Sequence, residues 1–269
     1  MSQEIKVMSC NLRYRTEKDG ANCFDYRLPK LLEMIRKEAP DVIGFQEATD
    51  EMRKALADGL TDYVLLGHGR EKNYMGEGTP IAYKKERFVL HALRQEWLSI
   101  TPSVPATKLR CLDQSGCPRM YCCVELADCE SGELFAFYNV HLDHMGRKAQ
   151  IAETMMLYQR IAEDNLPYAL TGDFNAYPES DTVRMILSTK DSLGTVDATS
   201  EIKGTLHCFL MDRINSGEMS KIDYIFTNMP TDPARSYAVA DDDSCGCFYS
   251  DHLAVCAFVN SKKSESKSE

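Results

Sequence analysis

Residues 4 to 10 set Ile5 and Val7 on one side with Lys6 between them, which predicts a strand that ends at Asn11. Leu28, Leu31, Leu32 and Ile35 recur at helical spacing, so Tyr26 to Glu38 reads as a helix stopped by Pro40. Asp41-Val-Ile-Gly-Phe-Gln-Glu47 is a short apolar strand whose last residues turn polar. Weaker strand patterns follow at 62–66, 80–84 and 87–98, and His68 to Thr79, rich in glycine and charge, is expected as a surface loop. Arg119–Leu126 and Glu133–Leu142, joined by Asp128-Cys-Glu-Ser-Gly132, read as an antiparallel hairpin. A helix is expected from Met145 to Asp164, with Ile151, Thr154, Met155 and Tyr158 on its core face. Then come a strand through Pro167–Thr171, a helix near 179–189, and strands at Ile222–Thr227 and Leu253–Val259. Strands both in hairpins and alternating with helices imply an α/β fold of mixed sheets with helices packed outside. No repeat or linker interrupts the pattern, so residues 1–260 are expected to form one domain, followed by a disordered polar tail at 261–269.

Six of the apolar segments end or begin in polar side chains: Asn11, Gln46-Glu47, His141-Leu-Asp143-His144, Asp173-Phe-Asn175, Asp223, and Asp251-His252 before Leu253. Ligand sites of α/β sheets gather where strand ends meet loops, so these ends are expected to share one site. In an extended chain Asp173 and Asn175 face one way and Phe174 the other, although Gly172, Asp173, Asn175 and Pro178 also suit a plain turn. Asn11, Glu47 and Asp251 are hard oxygen donors of the kind that hold Mg²⁺ or Mn²⁺. His141 and His252 can donate to an anion, and a carboxylate such as Asp223 would fix an imidazole in one tautomer. Asp173 and Asn175 could orient an attacking water and a developing oxyanion. These are the parts for metal-assisted hydrolysis of a phosphoester.

The chain has 269 residues, with 31 Lys+Arg against 41 Asp+Glu and a formal net charge of −10. No global basic field is present to recruit long nucleic acid by counterion release, which argues against a duplex nuclease. The start of the chain shows no basic stretch followed by an apolar core, and no apolar run approaches the roughly 20 residues of a membrane helix, so a soluble, cytoplasmic protein without membrane insertion is expected. The eleven cysteines are then expected to be reduced thiols, and no two well-spaced pairs suggest a zinc site.

The order Asn11, Gln46-Glu47, His141-Leu-Asp-His144, Gly172-Asp-Phe-Asn175, Ile222-Asp-Tyr224 and Ser250-Asp-His252 resembles the endonuclease/exonuclease/phosphatase superfamily, over essentially residues 4 to 259. Gly67-His-Gly-Arg70, Gly76-Glu77, Trp97-Leu-Ser99 and Arg119 look like a mostly bacterial branch of small stand-alone hydrolases. The resemblance implies a four-layer α/β/β/α sandwich of two mixed, mostly antiparallel sheets. It implies Glu47 as principal ligand of Mg²⁺ or Mn²⁺, with Asn11 and Asp251 close to the metal or its water. It also implies Asp173 on the nucleophilic water, Asn175 in support, and His141 and an Asp223-held His252 on the scissile phosphate. Arg110-Cys-Leu-Asp-Gln-Ser-Gly-Cys-Pro118 departs from the Trp-containing segment of that branch, so substrate preference is expected to differ.

Arg119, Asp143, His144 and His207 are further candidates for substrate contact; helix capping for Asp143 and His144, and loop packing for His207, are the plainer readings. His68, Arg70 and Glu77 are expected on the pocket rim, His91 on the surface, and Asp241-Asp-Asp243 in solvent rather than on an ion. The expected substrate is a phosphoester, either a small molecule or a nucleic acid. A lipid-headgroup phosphodiesterase would need an exposed apolar hairpin for membrane contact, and none is apparent. A binding scaffold without turnover would be expected to have lost some of these acidic and imidazole positions.

Overall fold

The computed structural model describes residues 4–260; the tail expected to be disordered lies outside them. Its strands are β1 (Glu4–Asn11), β2 (Val42–Gln46), β3 (Tyr63–Leu66), β4 (Ile81–Lys84), β5 (Phe88–Trp97), β6 (Met120–Asp128), β7 (Leu134–His141), β8 (Tyr168–Asp173), β9 (Val196–Asp197), β10 (Asp223–Thr227), β11 (Tyr237–Ala238) and β12 (Val255–Asn260). One sheet has the order β11-β12-β1-β2-β4-β3 and the other β5-β6-β7-β8-β10-β9. In the first, β1 and β2 are parallel and the other pairings antiparallel. In the second, β7 and β8 are the parallel pair.

Alternation along the central strands explains how the sheets face each other. Ile5, Val7, Val42, Phe135, Phe137, Ala169 and Ile225 belong to one buried cluster between the sheets. Met8, Cys10, Ile43 and Phe45 point outward onto a second cluster. Leu170, Tyr224 and Phe226 point outward onto a third. Helix α1 (Phe24–Glu38) with α2 (Asp50–Gly59) covers the outer face of the first sheet, and α3 (Arg147–Asp164) with α4 (Asp181–Ser188) covers that of the second. The result is the expected α/β/β/α sandwich. Each large apolar side chain enclosed in the middle layer contributes roughly 1.5–3 kcal/mol.

Along the facing sides the chemistry changes in step. Beyond the apolar layer lies a belt of small and polar residues: Ser9, Gly44, Gln46, Asn139 and Thr171. Gln46 Nε2 donates across the gap to Asn139 Oδ1 at 2.6 Å, Thr171 Oγ1 donates to the same oxygen at 3.1 Å, and Asn139 Nδ2 donates back to the Phe45 carbonyl at 2.6 Å. Gly44 is required there, because a Cβ would lie 2.0 Å from Thr171 Oγ1 and 2.6 Å from Asn139 Oδ1. One step further come Asn11, His141, Asp173 and Asp223. The register aligns them: Asn11 is paired with Gln46, His141 with Asp173, and Asp223 with Asp173.

Three expectations are corrected. Helix α2 was not expected; only Met52 and Leu56 are buried in it, too few for a clear apolar stripe among its charges. The core face of α3 is Ala149, Gln150, Glu153, Thr154, Leu157, Tyr158 and Ile161, with Met155 59% exposed, so the face is rotated because polar Gln150 and Glu153 are turned inward. Asp241 is not in solvent: it is buried, 2.9 Å from Lys30 Nζ, and accepts from Tyr249 N. All eleven cysteines are free, and no helix among the described residues is long and apolar enough to cross a membrane.

Candidate active site

The polar strand ends meet on one rim. Asn11 Nδ2 donates to Asp173 Oδ2 at 2.9 Å and lies 3.4 Å from Glu47 Oε1, linking three strands of two sheets. Glu47 leaves β2 with φ of 59°, a left-handed conformation costing about 1 kcal/mol or more for a side-chain residue. That turn lets its Oε2 accept from Tyr14 N at 2.8 Å. Ser250 Oγ donates to the Asn11 carbonyl at 2.6 Å and tethers the segment carrying Asp251 and His252. His252 Nδ1 is 2.9 Å from Asp223 Oδ2, which also accepts from Thr205 Oγ1. His252 Nε2 lies 3.9 Å from Asp251, and His141 Nε2 lies 3.6 Å from Asp173 Oδ2. Side-chain atoms of Asp173, Asp223 and His252 fall within 4.8 Å of one another, close enough to hold a metal ion themselves.

Burial and neighbouring charges set these groups apart. Burial and repulsion from Asp223 push the Asp173 carboxyl up to about 7. Burial works against a charged His252, but Asp223, Asp251 and Asp173 outweigh it and hold the imidazolium well above its ordinary value. His141 is driven well below that value by burial, then by Arg119 and Arg70, and stays neutral. Buried Asp223 Oδ1 has no hydrogen-bond partner among the described residues.

Asn175 satisfies the turn reading as well as the site reading. The strand stops at Asp173, Asn175 takes φ of 48°, and its backbone N–H donates to Asp173 Oδ1 at 2.9 Å. Its side chain donates to the Leu142 carbonyl, so simple strand alternation does not place it. Phe174 packs into the core beside Tyr224 and Phe226, as expected. Asp143 is wholly buried and orders the turn before α3 by accepting from Met145 N and Gly146 N, while Asp113 accepts from Lys148 N and Ala149 N in the helix's first turn. The other Asp143 oxygen accepts from Ser115, which pins the divergent 110–118 loop. Arg119, 2% exposed, donates to His144 Nδ1 at 3.0 Å. His207 is fully enclosed against Phe248, and neither ring nitrogen is hydrogen bonded among the described residues. It is therefore packed rather than presented to the cleft. His91 is exposed; Arg70, expected at the rim, is buried and paired with Glu77 at 2.9 Å.

Sequence reasoning passed over Arg27, Thr205 and Arg13. Arg27 lies on an otherwise apolar helix face, where a charged residue reads as surface; it is fully buried and donates to the carbonyls of Leu12, Arg13, Asn22 and Tyr249. Arg13, at φ of 51°, pairs with Asp19 and approaches Asp251.

Two facing sheets with acidic and imidazole side chains gathered on a common rim define an α/β/β/α sandwich protein. The chain belongs to the endonuclease/exonuclease/phosphatase family, whose model matches residues 8–252. Similar solved structures include an endonuclease/exonuclease/phosphatase from Bacteroides vulgatus, at 26% identity and TM-score 0.86, with 96% of this chain and 98% of that one covered. A mannosyl-6-phosphatase from Bacteroides thetaiotaomicron has TM-score 0.78 at 24% identity, covering 95% and 99%. The human nocturnin catalytic domain with bound sulfate has TM-score 0.68 at 18% identity, covering 96% and 93%. No curated protein matches.

Proposed function

We propose that this protein is a divalent-metal-dependent phosphoester hydrolase acting on a small or flexible phosphoester. The observation that carries the reading is the shared rim, where Asn11 bridges Asp173 and Glu47 while Asp223 holds a charged His252.

The donor set suits Mg²⁺ or Mn²⁺. Glu47, Asp251 and Asn11 are oxygen donors, and Arg13, the cation that approaches Asp251, is itself engaged by Asp19. A cation held by Glu47, Asn11 and Asp251 would offset charge on the phosphate and on its leaving oxygen. Asp173, Asp223 and His252 suit proton handling better than metal binding, because His252 Nδ1 is already committed to Asp223. Asp173 orients a water and takes its proton, Asn175 steadies Asp173 through its backbone N–H, and His252 donates to a phosphoryl oxygen. His141, neutral and beside Asp173, donates to the same phosphoryl group.

Net charge of −10 favours a small phosphoester over duplex DNA. That a similar protein is a phosphatase of a sugar phosphate is compatible with this, though at 24% identity the likeness carries the fold alone. The test is hydrolysis by wild type and Glu47→Gln with Mg²⁺, Mn²⁺ or EDTA, across nucleic acids, nucleotides, sugar and inositol phosphates and phospholipid headgroups. Metal-dependent turnover lost in the variant is expected; no turnover on any substrate while the metal binds would overturn the reading.

A further inference from the structure

Beside Glu47 and His141 a small cavity with room for about one water-sized group is walled by Arg70, Glu77, Thr79 and Arg119. Its two guanidinium groups are buried, Arg119 at 2% and Arg70 at 8% exposure. Each ion-pairs on one side only: Arg70 with Glu77 at 2.9 Å, and Arg119 with Asp143 at a loose 3.8 Å. Arg119 Nε and Nη1, Arg70 Nε and Thr79 Oγ1 have no hydrogen-bond partner among the described residues. Two like charges with unspent donors, shut away together, call for an oxygen anion. Trp97 Nε1 and His144 Nδ1 fix the arrangement by bonding the Arg70 carbonyl and Arg119 Nη2.

Resting on the phosphoester-hydrolase reading, we propose that this cavity receives the third terminal oxygen of the scissile phosphate, so that the substrate class is phosphate monoesters. A monoester dianion has three oxygens to place, and the third meets Arg119 and Arg70 as the others face His141 and His252. A phosphodiester carries a second organic group on that oxygen, and a cavity with room for about one water-sized group cannot take it. In the reaction the water oxygen bonds to phosphorus while the ester P–O bond breaks. One water proton leaves on the alcohol and the other stays on the inorganic phosphate.

The experiment compares kcat/KM for 4-nitrophenyl phosphate and bis(4-nitrophenyl) phosphate, with Mg²⁺, in wild type, Arg119→Met and Arg119→Lys. Wild type is expected to prefer the monoester by at least 100-fold, with the preference falling at least tenfold in Arg119→Met and less in Arg119→Lys. A wild type that cleaves the diester as well as the monoester overturns the monoester assignment while sparing the hydrolase reading. Failure on both esters and on the wider phosphoester panel overturns both. Should Arg119→Met not fold, the wild-type ratio and Arg119→Lys decide, and an unchanged ratio in Arg119→Lys together with phosphate inhibition equal to wild type counts against the cavity.

Discussion

His252 and His141 both lie near Asp173, yet one is held as an imidazolium and the other as a neutral ring. The difference comes from their other neighbours, Asp223 and Asp251 for His252, Arg119 and Arg70 for His141. Geometry alone does not distinguish them; charge does.

Asp223→Asn removes the partner that keeps His252 charged and the repulsion that raises Asp173. Protonation of His252 would then be lost at a lower pH, and Asp173 would ionise at a lower pH too. Both limbs of the pH–rate profile are expected to move toward acid, and kcat at neutral pH to fall by about 10²-fold or more. The profile is measured at fixed Mg²⁺; limbs that stay in place would count against the assigned roles.

Burial lifts the Glu153 carboxyl from an ordinary 4.5 to about 7, despite the Asp143 N–H at 2.9 Å. The folded value is raised, so the proton on Glu153 favours the fold fully below about 4.5, and this contribution disappears as pH rises through about 7. Glu153→Gln stays neutral throughout. Relative to wild type it is expected to gain on the order of 3 kcal/mol between pH 5 and pH 8. Urea midpoints at both pH values check this, and a constant difference would refute it.

Arg27→Met leaves four carbonyls without their donor, those of Leu12 and Tyr249 buried and those of Arg13 and Asn22 half-buried. We expect a loss of several kcal/mol of stability. Arg27→Lys, retaining charge but fewer donors, should lie between. Because the lost bonds anchor Leu12, Arg13 and Tyr249, beside Asn11 and Ser250, the lysine variant should also lose kcat while folded, measured at a temperature well below its Tm.

Gly44→Ala forces a methyl group into Thr171 and Asn139. A cost of about 1–3 kcal/mol is expected, as for overpacked cores. Activity should fall with it, since those two side chains sit one register step from Asp173 and His141. A variant with wild-type Tm and kcat would show that the belt does not set the spacing of the sheets.

The polar strand ends were legible because each breaks an apolar run, and register then brings them together without further information. The parts that escaped depend on residues buried against their chemical type. Arg27, Gln150 and Glu153 are polar side chains turned inward, and the spacing of apolar residues gives no sign of them. Helix α2 escaped for the converse reason, being mostly exposed. Asn175 shows a further limit: its left-handed turn, not strand alternation, decides where it points.

Strand β12 pairs with β1, so the last strand of the fold completes the sheet begun by the first. Asp251 and His252 lie just ahead of it. These two rim side chains are thus held where segments from opposite ends of the described chain meet, so their placement rests on the most sequence-distant strand pairing of that sheet.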